Sequence, residues 1–201
     1  MIAKGFAFGD RLFFRIVKSV DGKRSGAYLE AFVEKGGAFL PFKRWPVCYY
    51  SGELGPKLKQ GDGQSPEGFY WAAPRALNPY SSYHLSFNLG YPNAYDRYHG
   101  RTGDYLMVHG HCVSIGCYAM GDEAIEEIFT LMVGAFEGGQ RGVRVHIFPF
   151  EMDGELSAAQ QRSPNGPFWE NLKQGWDHFE THKRPPNVEI GGGDYIFDNS
   201  F

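Results

Sequence analysis

Leu106-Met107-Val108-His109-Gly110-His111-Cys112-Val113-Ser114-Ile115-Gly116-Cys117 is a short apolar run that gives way to small and reactive residues. A run of this length, closed by polar side chains, reads as a buried strand with His109 at its exit. No helical period follows, so the chain turns through Gly110 to Gly116 and brings Cys117 up close behind the strand end. That turn holds an imidazole, a hydroxyl and a glycine ahead of a thiol. Cysteine attacks as the thiolate, which a neighbouring imidazole favours. Cys117 is therefore the predicted nucleophile. His109 is a better base than His111, because adjacent strand positions face opposite ways.

Upstream, Leu12 to Val20 and Ala27 to Val33 are rich in β-branched and aromatic residues. Asp21-Gly22 and Gly36-Gly37 supply turns, which predicts an antiparallel meander from Arg11 to about Phe42. Val47 to Ser51, Phe69 to Ala73 and Tyr80 to Leu89 read as further strands. The glycine-rich stretch from Gly52 to Gly63 lacks the ending of a phosphate-binding Walker loop and reads as a long connection. Gly90 to Arg97, dense in aromatic and polar groups, reads as a loop of the kind that lines clefts.

Downstream, Asp122 to Phe136 repeats apolar residues at Ile125, Ile128, Met132 and Ala135 behind an acidic first turn, which predicts a helix. Val143 to Phe148 reads as a central strand. Phe168, Trp169, Leu172, Trp176 and Phe179 share one face of a second helix that ends before Pro185-Pro186. Two helices among about eight short strands, with no strand and helix alternation, exclude a doubly wound parallel sheet and predict a mainly β α+β domain.

The 201 residues suit one domain spanning 1–201, with its core at about 6–196. Apolar residues at 42% and aromatics at 16% supply ample burial and argue against disorder. A net charge of -3 without a Lys or Arg block argues against nucleic acid and anionic membranes as partners. No run is apolar and long enough to span a bilayer. Of Cys48, Cys112 and Cys117, one structural pair plus one reactive thiol explains the odd count, with Cys48 bonded to Cys112 and Cys117 free. The competing reading is structural zinc on His109, His111, Cys112 and Cys117, but the paired-ligand knuckles of closed zinc sites are missing. No metal or other cofactor is therefore expected.

His109-Gly110 followed by Ser114-x-Gly116-Cys117 resembles the catalytic signature of the L,D-transpeptidase (YkuD-like) family. Gly55-Pro56-Lys57 with Gly61-Asp62-Gly63-Gln64-Ser65-Pro66-Glu67-Gly68-Phe69-Tyr70 is similar to the family's upstream glycine-rich stretch. His84-Leu85-Ser86-Phe87-Asn88, Tyr95-Asp96-Arg97, Cys117-Tyr118-Ala119-Met120 and Val145-His146-Ile147-Phe148-Pro149-Phe150 resemble its YafK-like branch.

The resemblance implies a β-sandwich catalytic domain with packed helices. It also implies a cysteine acyl-transfer enzyme acting on peptidoglycan stem peptides at an L-to-D junction, as transpeptidase or as hydrolase releasing wall-bound lipoprotein. Cys117 would form a thioester, His109 would move the proton, Ser114 would shape the turn, and the Gly116 and Cys117 amides would hold the oxyanion. A monomer in the periplasm or cell envelope is expected, with the export leader absent from this sequence. Ile115 and Ala119 stand where relatives carry histidine and arginine, so substrate recognition falls to other groups: Arg97, Arg101 and Lys57 for a carboxylate, with His84, Tyr83, Gly110 and Tyr118 along the cleft. The alternative from another class is a non-catalytic wall-binding module.

Overall fold

The structure, a computed structural model, describes residues 5–198. Strands β1 (Leu12–Val17), β2 (Tyr28–Lys35) and β3 (Ala38–Pro46) form the antiparallel meander that the turn residues predict. They are followed by β4 (Tyr49–Tyr50) and β5 (Gly68–Ala72). The stretch expected to be a single strand at Tyr80 to Leu89 is instead the second half of a hairpin, β6 (Leu77–Ser81) and β7 (His84–Asn88). No glycine or proline marks its tight turn. Ser81 Oγ accepts from the Tyr83 N–H at 3.1 Å, and His84 takes a positive φ of 68°, so a side-chain bond does the work of a turn residue.

The expected loop at Gly90 to Arg97 contains a short helix, α1 (Ala94–Tyr98), started by a reciprocal capping box between Asn93 and Asp96. Next come β8 (Met107–His109), β9 (Tyr118–Ala119) and α2 (Asp122–Glu137), then β10 (Val143–Phe148), the short α3 (Ala158–Gln161) and the long α4 (Gly166–His182). A final hairpin pairs β11 (Asn187–Gly191) with β12 (Asp194–Asp198).

Two five-stranded sheets result, ordered β3-β2-β1-β10-β5 and β4-β9-β8-β7-β6. Both are mixed, because β10 runs parallel to β1 and β9 runs parallel to β8. Strand alternation sorts β1 into two faces. Leu12, Phe14 and Ile16 join Phe87, Val108, Tyr118 and the apolar stripe of α2 in one core between the sheets. Phe13 and Val17 face the other way, towards the aromatic stripe of α4. Helix α4, the first sheet and the second sheet are thus stacked layers, with β8 and β9 inside the second sheet.

Candidate active site

The parallel register pairs Val108 with Tyr118 and His109 with Ala119. Val108 and Tyr118 are fully buried in the core between the sheets. Alternation therefore turns Met107 and His109 on β8, and Cys117 and Ala119 on the neighbouring chain, to the opposite face. The Met107 N–H donates to Cys117 Sγ at 3.3 Å, one step before the paired residues. Cys117 is thus level with Met107, and thiol and imidazole share a face two residues apart in register.

His109 Nδ1 lies 2.6 Å from the carbonyl oxygen of Gly110. A carbonyl can only accept, so Nδ1 carries the proton and Nε2 is the basic nitrogen. The Tyr83 ring sits 4.8 Å from the imidazole, centroid to centroid. Burial pushes the His109 pKa down from 6.5, against the Gly110 bond, and His111 pushes the same way as burial. For the half-buried Cys117, burial raises the pKa, partly offset by the Met107 N–H and the charge of Lys57. The sequence reading of a thiolate beside an imidazole is corrected here. Desolvation penalises both charged forms, so the resting pair is neutral thiol and neutral imidazole.

The turn is held from several sides. Ser114 Oγ accepts from the Gly116 N–H at 3.1 Å and donates to the Cys117 carbonyl at 2.8 Å. Gly116 has a φ of 150°, a conformation that favours glycine, and a Cβ there would stand 3.4 Å from the Leu106 side chain. The Gly116 N–H, expected to be an oxyanion donor, is instead committed to Ser114. Asp122, at the start of α2, accepts from the His111 N–H at 2.7 Å. Cys48 and Cys112 form a disulfide and Cys117 is free, as the cysteine count suggests. The zinc reading loses Cys112 to that bond, and among the described residues no cluster of three metal-competent side chains exists.

The other site residues read from the sequence scatter. Arg97 lines a cleft of about 570 Å³ with Trp71, Arg75, Asp104 and Tyr105. Cys117 and His109 do not line that cleft; its nearest link to the thiol is Tyr105, whose carbonyl is 3.7 Å from Cys117 Sγ. Arg101 is not in it: its guanidinium pairs with buried Asp96 at 2.9 Å and its side chain is 8% exposed. Lys57 is buried against Asp62. The Tyr118 ring lies in the core, its hydroxyl donating to the Pro66 carbonyl. His84 is exposed and pairs with Glu126. Gly110 lies against the Tyr83 carbonyl and Asp122, where a Cβ would stand 2.7 Å from each.

Sequence reasoning missed Ser65, whose hydroxyl donates to the Cys117 carbonyl. It also missed the buried pair Lys18 and Glu67 behind Ser65. Ser65 and Glu67 lie in the quoted upstream stretch, which was the available signal.

No protein-family model matches the chain. Over 168 residues, 84% of this chain and 68% of the relative, it is 46% identical to "Putative L,D-transpeptidase YafK" of Escherichia coli strain K12, and equally to the protein of that name in Escherichia coli O157:H7. Among solved structures it resembles the helical cell shape determining protein Pgp2 from Campylobacter jejuni, with a TM-score of 0.51, 20% identity and coverage of 86% of this chain. A point mutant of Pgp2 gives 0.53, 21% and 88%. The chain spans 58% and 60% of those two chains, and at this identity the likeness speaks to fold. The sequence relatives, the mixed two-sheet fold and the shared face of His109 and Cys117 together show that this chain belongs to the L,D-transpeptidase family, in its YafK-like branch.

Proposed function

We propose that the protein is a cysteine acyl-transfer enzyme acting on peptidoglycan stem peptides at an L-to-D junction, the L-centre of diaminopimelate. The supporting observation is the neutral pair on one sheet face, with His109 fixed in the tautomer that leaves Nε2 basic. Nε2 takes the thiol proton as Sγ attacks the carbonyl carbon, and the Cys117 amide donates to the developing oxyanion. The C–N bond then breaks, the same proton passes to the leaving amine, and a thioester remains. An incoming amine gives transfer, whereas water gives hydrolysis, including release of lipoprotein attached to the wall.

The cleft that Tyr105 shares with Arg97 and Arg75 takes the peptide, and the two guanidinium groups meet its carboxylate. The disulfide supports action in an oxidising compartment, the periplasm or cell envelope. Among the described residues no helix is long and apolar enough to cross a membrane.

Incubation with diaminopimelate-containing disaccharide tetrapeptide is expected to give an acyl adduct confined to the Cys117 peptide by mass spectrometry, absent from Cys117→Ala. Turnover retained in Cys117→Ala would refute the assignment. Peptidoglycan carrying attached protein separates the two outcomes: new cross-links indicate transfer, while free protein and stem peptides indicate hydrolysis.

A further inference from the structure

We infer that Ser65 is a positioning residue for the nucleophile, its buried hydroxyl holding the Cys117 carbonyl jointly with Ser114. This rests on the proposed role of Cys117 and adds the group that fixes its main chain.

The carbonyls beside it in sequence and register have main-chain partners: Ala119 O accepts from the Cys48 N–H and His109 O from the Met120 N–H. The Cys117 oxygen instead accepts from two hydroxyls, Ser114 Oγ at 2.8 Å and Ser65 Oγ at 3.1 Å. Ser114 is local, three residues away. Ser65 is 52 residues away and fully buried, so it ties the nucleophile to a different part of the fold.

The segment carrying Ser65 is already anchored without that hydroxyl. Its N–H donates to the Ser51 carbonyl at 3.0 Å, and its carbonyl accepts from Lys18 Nζ at 3.1 Å. The Pro66 carbonyl accepts from the Tyr118 hydroxyl at 2.7 Å. Glu67 accepts from Lys18 Nζ at 2.9 Å, from the Gly55 N–H at 2.6 Å and from Trp169 Nε1 at 3.0 Å. A segment pinned at so many points is a rigid platform from which the Ser65 hydroxyl reaches Cys117. Oγ also accepts from the Ser51 N–H at 3.2 Å. That bond orients the oxygen so that its own proton points to Cys117. The beneficiary of the contact is the cysteine rather than the platform.

The physical consequence concerns where the sulfur stands. The main chain at Cys117 carries the sulfur, and holding its carbonyl helps to keep Sγ beside the Met107 N–H and near the Tyr105 carbonyl. With one donor removed, the peptide plane after Cys117 is free to rotate about the remaining Ser114 bond, and small displacements of a nucleophile are costly in rate.

The test compares Ser65→Ala with Ser65→Thr, which retains the hydroxyl. For Ser65→Ala, kcat for release of the leaving group is expected to fall about tenfold with KM little changed, the loss of roughly one hydrogen bond. The pH midpoint for iodoacetamide alkylation of Cys117 is expected to rise, because the sulfur leaves the Met107 N–H. Ser65→Thr should restore both. The double variant with Ser114→Ala should lose more than the product of the single losses, since the two hydroxyls share one oxygen.

An unchanged kcat and an unchanged alkylation midpoint in a folded Ser65→Ala protein would overturn the inference, even where wild type acylates normally. If wild type fails to acylate at Cys117, the proposed function fails, and the alkylation comparison still decides the role of Ser65.

Discussion

At the scale of single residues, the site stores no charge at rest. Burial holds His109 neutral by lowering its pKa and holds Cys117 neutral by raising its own. Protonated His109 cannot accept the thiol proton, so the acylation rate should climb with pH through a midpoint below the ordinary 6.5 of histidine. A pH–rate profile with its lower limb at or above that value would contradict this.

Gly110 is the second residue to test. A Cβ there would stand 2.7 Å from the Tyr83 carbonyl and from Asp122, one of them backbone and the other bonded to the His111 N–H. Gly110→Ala is expected to shift the carbonyl that holds Nδ1 and to cut kcat strongly while the protein stays folded, read by circular dichroism beside the assay. Arg97→Ala should act differently. Losing a charged hydrogen bond worth about 1.5–3 kcal/mol raises KM for a carboxylate-bearing peptide by roughly 10- to 100-fold, with kcat much less affected.

At the scale of elements, two fastenings hold the turn that carries Cys117 and the segment packed against it. The first is the disulfide. It joins Cys112, inside the turn between His109 and Cys117, to Cys48 just before β4, with a sequence separation of 64 residues. Closing a loop of that length removes chain entropy from the unfolded state worth roughly 4 kcal/mol in the simple loop model. The Cys48→Ser, Cys112→Ser double variant should therefore unfold at clearly lower urea, and its turn should become more susceptible to proteolysis. The second is the fully buried Lys18 and Glu67 pair. Lys18→Met leaves the Glu67 carboxylate buried with two of its three donors, and removing one partner of such a pair costs about 3–5 kcal/mol. Urea denaturation of this variant is the direct measurement.

Across the whole molecule, the layer of α4 against the first sheet contains a second neutral histidine. His146 on β10 is 1% exposed, packs edge to face on Phe13 and Phe69, and has no partner for Nδ1 among the described residues. Burial drives its pKa well below 6.5, with Arg144, Arg15 and His178 acting the same way. When the chain unfolds below 6.5 the histidine takes up a proton that the native state refuses, so the unfolded state binds more protons and stability falls as pH falls. His109 adds to the same slope, because its folded pKa is also lowered. The urea midpoint should drop between about pH 7.5 and about pH 5, where the unfolded histidine titrates. His146→Phe should flatten that dependence. A slope unchanged by His146→Phe would remove His146 as a cause.

The sequence by itself determined the parts that depend on local pattern. Turn glycines set the meander of β1 to β3, apolar periods set α2 and α4, and the cysteine count paired Cys48 with Cys112. The family was also legible in it, because its signature lies in two short segments. The tertiary structure decided what depends on partners distant in the chain. The β6 to β7 turn and α1 rest on side-chain bonds from Ser81, Asn93 and Asp96, which no residue period announces. Arg101 and Lys57 carry the charge a substrate carboxylate needs, yet Asp96 and Asp62 claim them inside the fold. Ser65 reaches Cys117 only because two sheets and a buried ion pair bring them together. Periodicity reports which face a residue turns to its own element, whereas burial, charge pairing and the protonation of His109 and Cys117 depend on what the rest of the chain places opposite.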